Sequence, residues 1–133
     1  MQKVTAPGVI YRARDFFNKN LFEGKLSPIP IYLINQAPCT GGAFCYDSIR
    51  FDEQRIAFLR SEFSYGTRVS DYIMLAHELS HQWHDPEGGH SQGFIKTMEA
   101  IGLTYTPYGD HVIRGGAFEK WCEIWMGGRI LAA

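Results

Sequence analysis

His77-Glu78-Leu79-Ser80-His81 is the stretch on which the reading of this chain turns. It has the form H-E-x-x-H. On a helix, two residues four apart stand one turn from each other on the same face, so the imidazoles of His77 and His81 can converge on one metal ion. Zinc is the usual ion for such a pair. Glu78, between them, projects to the side of the metal position, where it can take the proton of a water molecule as a general base.

The surrounding sequence is helical. Thr67 or Ser70 can cap the start, and Asp71 falls in the first turn, where a negative charge suits the helix dipole. Val69, Ile73, Ala76, Leu79 and Trp83 recur at helical spacing and are expected to bury one face. Asp85-Pro86-Glu87-Gly88-Gly89 is a strong stop, because the residue before a proline avoids helical angles and the glycine pair lets the chain turn. The motif is therefore expected in the last turns of a helix of three to four turns. A second amphipathic helix opens at His90-Ser91-Gln92-Gly93-Phe94, buries Phe94, Met98 and Ile101, and closes at Gly102.

A tight turn between these helices can swing His90 back toward His77 and His81. Three imidazoles plus one water make a tetrahedral catalytic zinc site. Two other residues compete for the third place. His84 lies one turn below His81, but about 10 Å along the helix axis from His77; it suits the negative end of the helix instead. Glu99 stands on the downstream helix, where thermolysin-like enzymes place a glutamate ligand, beside the core positions Met98 and Ile101. Tyr105, Tyr108, His111 and Arg114 follow the site. One of them can stabilise a tetrahedral oxyanion, and a packing or surface role is the equal alternative for each.

The remaining composition narrows the function classes. The chain has 133 residues with no linker-like stretch, internal repeat or low-complexity segment, which fits one domain with one core. No apolar run approaches membrane-spanning length and the first residues lack an apolar signal segment, so an intracellular, cytoplasmic protein is expected. Cys39, Cys45 and Cys122 form no C-x-x-C pair and read as small buried hydrophobes rather than a disulfide framework. The net charge of −1 provides no basic field for a nucleic-acid backbone. Arg12 and Arg14 read as a solvated helix face.

Taken in order, Pro7 to Asn20 reads as a first helix with Ile10, Ala13, Phe17 and Leu21 on one side. Ile29 to Ile34 reads as a strand, with Pro30 favouring an edge or a strand start. Pro38 through Gly42 reads as a turn, and Ala43 to Tyr46 and Ser48 to Phe51 as a hairpin about Asp47. Ile56 to Phe63 is expected to be a short helix. Thr104 to Gly116, rich in Tyr, Pro and Gly, is expected to be a loop. Phe118 to Met126 reads as a last helix that packs Phe118, Trp121 and Trp125. Helix, strands, then helices is an α+β order with a small mixed or antiparallel sheet beside the metal-motif helix.

One family shares this arrangement of residues. The order Phe17-Asn18, Leu21-Phe22-Glu23-Gly24-Lys25-Leu26, a strand, Cys39-Thr40-Gly41-Gly42, a strand ending Ile49-Arg50-Phe51, then His77 to His81 and His90 to Phe94 resembles the SprT-like zinc metallopeptidase domain. That family includes the Spartan-type proteases, which degrade proteins crosslinked to DNA. The likeness runs from about Asp15 to Leu103. H-E-x-x-H is shared with many zinc peptidases; the Phe-Asn and Phe-x-Gly-Lys-Leu opening and the short gap to H-x-x-x-F are its more specific part. The resemblance implies a zincin-like α+β fold, with His77, His81 and His90 as zinc ligands and Glu78 as catalytic base. Ser91 stands where the family usually has glycine, and serine is a good helix cap. Many members carry a zinc ribbon or DNA-binding tail after this domain, and none is expected here.

The expectation is therefore one SprT-like metallopeptidase domain over residues 1–133. It would use Zn2+ to hydrolyse peptide bonds of a protein or peptide substrate. The alternative is a non-catalytic, zinc-stabilised binding module of the same fold, which would have no use for a base such as Glu78 beside the metal. DNA binding by the domain itself is expected to be weak or indirect. Thirteen basic residues face 14 acidic ones, and Arg12, Arg14, Arg55 and Arg60 are offset by Asp15, Asp52, Glu53 and Glu62. Phosphate neutralisation by Lys and Arg supplies the salt-dependent part of DNA affinity. A titration of labelled single- and double-stranded DNA at near-physiological salt should accordingly show no submicromolar binding; tight binding with a steep salt slope would contradict it.

Overall fold

The two most apolar short runs of the chain pair with each other. In the computed structural model, which describes residues 3–35, 43–47, 54–84, 91–105 and 111–127, strand β2 (Ile31–Ile34) lies parallel to β4 (Gln54–Leu59), Ile31 beside Ile56 and Leu33 beside Phe58. Ile31, Leu33 and Ile34 of β2 and Ile56, Ala57 and Phe58 of β4 are buried, which is why these runs lack polar alternation. Strand β1 (Lys3–Thr5) flanks β2 and β3 (Ala43–Asp47) flanks β4, each antiparallel, giving a mixed sheet of order β1-β2-β4-β3. Pro30 directly precedes β2, where its missing N–H costs no ladder bond, and its carbonyl accepts from the Ile56 amide at 2.9 Å.

Four helices complete an α+β fold: α1 (Gly8–Leu21), α2 (Val69–His84), α3 (Gln92–Ala100) and α4 (Ala117–Trp125). One cluster of buried apolar side chains joins all four helices to β2 and β4. Phe17 of α1 sits at its centre, 5.9 Å from the Tyr72 ring of α2 and stacked at 5.9 Å on Phe118 of α4. Helix α2 also lies against β3 at the sheet edge. No helix among the described residues is long and apolar enough to cross a membrane.

Several expectations are corrected. Ile56 to Phe63 is not a helix: its first half is strand β4, followed by a single 3-10 turn at Arg60–Glu62. The run Ile56-Ala57-Phe58 gains more by pairing between two strands than from local helix propensity. Asp47 is not a hairpin apex but pairs with Gln54 as the last pair of the β3–β4 ladder; Pro38 to Gly42 and Ser48 to Phe51 lie outside the described residues. Thr104 to Gly116 is not simply a loop, because β5 (Leu103–Tyr105) and β6 (His111–Ile113) form a two-stranded antiparallel ribbon. The turn into it needs Gly102, which has φ +87° and whose missing side chain lets Gly116 approach: a Cβ there would stand 3.0 Å from the Gly116 Cα.

Arg14 is likewise no solvated residue. It is 5% exposed, and its Nη1 donates to the Ile29 carbonyl at 2.7 Å while its Nε pairs with Asp15 at 2.8 Å. The guanidinium thus ties α1 to the segment that leads into β2. Cys122 is buried in the core as expected, and burial pushes its thiol up to about 12, leaving it neutral. Cys39 lies outside the described residues.

Helix α2 is seated by a residue expected only to balance its dipole. Asp71 is fully buried, and its carboxylate accepts from the Ser64 amide at 2.9 Å and from the Gly66 amide at 2.7 Å. Burial raises its pKa, against the opposing pull of backbone hydrogen bonds from Ser64, Gly66 and Arg68 and of the Arg68 charge. Asp71→Ala would strand two amides with no acceptor. We expect a loss of about 2–3 kcal/mol in urea unfolding. Asp71→Asn, which keeps one acceptor oxygen, should fall between the two.

Candidate metal centre

Helix α2 runs four turns and carries the H-E-x-x-H residues in its C-terminal half. Its buried stripe differs from the expected one. Tyr72, Leu75, Ala76 and Leu79 form the apolar contact, Val69 and Ile73 are half-buried, and Trp83 is 41% exposed beside Phe22. Burial extends to polar groups on the other side of the helix, since His77 and His81 are each 8% exposed and Glu78 is 3% exposed. Ser80 is buried too and returns its hydroxyl to the Ala76 carbonyl at 2.8 Å. Gln82 donates from Nε2 to the Ser27 carbonyl at 2.8 Å, tying this end of α2 to the chain before β2.

His77 and His81 stand side by side on α2. Their ring centroids are 4.9 Å apart at an interplanar angle of 62°. The carboxylate of Glu78 reaches alongside, with Oε2 3.9 Å from His77 Nε2. Two imidazoles one turn apart are donors of the kind zinc takes, and the adjacent carboxylate is of the kind that serves as a base beside such an ion. All three groups come from consecutive turns of one rigid element that is packed into the core, so little ordering is left for an incoming ion to impose.

The other candidate residues separate clearly. Among the described residues no group of three His, Cys, Asp or Glu side chains comes together that could hold a metal ion. Glu99, the rival third ligand, is exposed on α3 and does not join His77 and His81. His84 does not join them either; its ring lies against Gly93 at the start of α3, where a Cβ would collide with it. His90 lies outside the described residues. The chain enters α3 directly after it, at Ser91, whose side chain caps the helix by accepting from the Phe94 amide at 3.3 Å. The cap expected of Ser91 is thus present. Of the oxyanion candidates, Tyr108 and the side chains of Tyr105 and His111 lie outside the described residues. Arg114 is exposed and donates from Nε to Thr104 Oγ1 at 3.1 Å within the ribbon.

One residue beside the histidines was read as core and as the end of the H-x-x-x-F pattern, with no role toward His77 or His81. Phe94 stacks on His81 with centroids 3.9 Å apart and planes at 14°, and meets His77 at 4.8 Å and 63°. The sequence did hold a signal for it, the H-x-x-x-F spacing from His90, but apolar periodicity alone assigns Phe94 to packing. Comparison with protein-family models, curated proteins and solved structures yields no match.

Removing either imidazole leaves only one member of the His77–His81 pair beside Glu78. His77→Ala and His81→Ala should each abolish tight zinc binding in a competition assay with a chromophoric chelator. His90→Ala should weaken binding far more than Glu99→Ala, because Glu99 points to solvent. The reverse ranking, or unchanged zinc content in His77→Ala, would contradict the assignment.

Proposed function

We propose that this protein is a zinc-dependent metallopeptidase of zincin-like fold, in the manner of the SprT-like domains its sequence resembles. The observation that carries the proposal is the meeting, on one face of a buried helix, of two imidazoles 4.9 Å apart with a carboxylate 3.9 Å from one of them. The mixed sheet beside α2 and the helical return through α3 are consistent with that fold. His77 and His81 would hold the ion, with His90 as the third ligand. Zinc, when bound, supplies Lewis acidity: polarisation of a peptide carbonyl and a lowered pKa for water.

The protein's own groups do the rest. Glu78, held at 3% exposure on the same helix, removes the proton from the attacking water and passes it to the leaving amine. Core packing of α2 through Leu75, Ala76 and Leu79 keeps this carboxylate in register with the imidazoles. The neighbouring Phe94 makes one wall of the site apolar and excludes water from that side. Protein or peptide substrates are the class this chemistry serves. A binding module stabilised by zinc has no role for a buried carboxylate next to its ligands, so Glu78 separates the two readings.

Glu78→Gln keeps the shape and removes the base. We expect it to retain zinc and the far-UV spectrum of the wild type while casein cleavage falls by a factor on the order of 10²–10⁴. Equal cleavage by the two proteins would rule out the role given to Glu78, and absence of any chelator-sensitive cleavage by the wild type would favour the binding module.

A further inference from the structure

Phe94 touches both imidazoles, and the chain spends several local features on keeping it there. Ser91 caps α3, and the Ile95 amide donates to the Ser91 carbonyl at 3.0 Å. Thr97 returns its hydroxyl to the Gly93 carbonyl at 2.8 Å, fixing the turn that bears Phe94. The absence of a side chain at Gly93 gives the His84 ring room to lie against α3, so that the end of α2 and the start of α3 are in direct contact next to the site. Phe94 itself is fully buried.

We propose that Phe94 is a positioning residue for the metal centre, setting the orientation of His81 by stacking and of His77 by edge contact before any ion arrives. The inference rests on His77 and His81 being the ligands, but concerns a residue that neither the motif nor ligand chemistry assigns. The physical need is plain. The terminal torsion of a histidine is broad and roughly two-fold, so a free imidazole presents either edge to an ion. Aromatic pairs favour stacked and edge-to-face contacts, and Phe94 makes one of each. An apolar residue without a ring would fill the space but would not hold the planes. Hydrogen-bonded partners that orient metal ligands typically contribute tenfold or more in affinity, and two aromatic contacts of ordinary strength amount to a comparable factor.

The test compares zinc affinity, by chelator competition, in the wild type, Phe94→Leu, Met98→Ala and His77→Ala. Met98 is buried on the same helix, one turn on, and controls for lost packing. Proton NMR of the zinc-free wild type supplies an independent readout, because a stacked phenyl face shifts the His81 ring protons upfield. We expect Phe94→Leu to keep the wild-type far-UV spectrum, lose that shift and bind zinc about tenfold more weakly or worse. Met98→Ala should lose stability while staying within about twofold of wild-type affinity. Equal affinity in Phe94→Leu and wild type, or an equal loss in Met98→Ala, would overturn the proposal. If Phe94→Leu does not fold, the wild-type shifts decide: unshifted His81 protons overturn it. Absence of His77-dependent zinc binding in the wild type would instead remove the metal reading, with the ring shifts still reporting whether Phe94 orders the imidazoles.

Discussion

Polar groups are costly inside a protein unless each finds partners, and α2 buries five of them: Asp71, His77, Glu78, Ser80 and His81. Much of the structure answers that constraint. At one end the chain before α2 folds over Asp71 so that two amides satisfy its carboxylate. In the middle Ser80 turns back to its own helix. Toward the other end α3 lays Phe94 over the imidazoles and so covers them without offering a competing hydrogen bond. A helix serving only as core would have apolar residues at these positions.

The apolar stripe of the same helix allows this arrangement. Tyr72, Leu75, Ala76 and Leu79 bind α2 into a core shared with Phe17 and Phe118, and burial on that scale amounts to roughly 1.5–3 kcal/mol per large side chain. Phe17 joins three helices at once, and the aromatic contacts it makes with Tyr72 and Phe118 fix how α1 and α4 brace α2 from behind. The face that bears His77 and His81 can then be polar because the opposite face is not.

Legibility in the sequence followed the strength of local signals. The motif helix, the capped helix after it and the first and last helices were all readable, because apolar periodicity, Ser91 and Gly102 act over one or two turns. What failed was decided by distant partners. Ile56-Ala57-Phe58 carries no alternation that separates strand from helix, and only its neighbours β2 and β3 choose between them. The ribbon of β5 and β6 was hidden by the turn-forming residues around it. Arg14 looked like surface because charge usually does, yet a carbonyl fifteen residues away captures it. The spacing of His77 and His81 is a property of one helix and was visible, whereas the contact of Phe94 with His81 is a property of two helices and was not.

The placement of the tryptophans has an optical consequence. The chain has three. Trp121 and Trp125 pack on Phe16 where α4 meets α1, within 5.9 and 5.1 Å. Trp83 stands apart, two residues beyond His81, exposed and 5.8 Å from Phe22. Trp121 and Trp125 are half-buried, so solvent quenchers reach the Trp83 indole more readily than the other two. Emission from this unlabelled molecule therefore resolves into a signal from the last turn of the histidine helix and a signal from the far side of the core, so local events near the site and global unfolding can be followed separately in one cuvette.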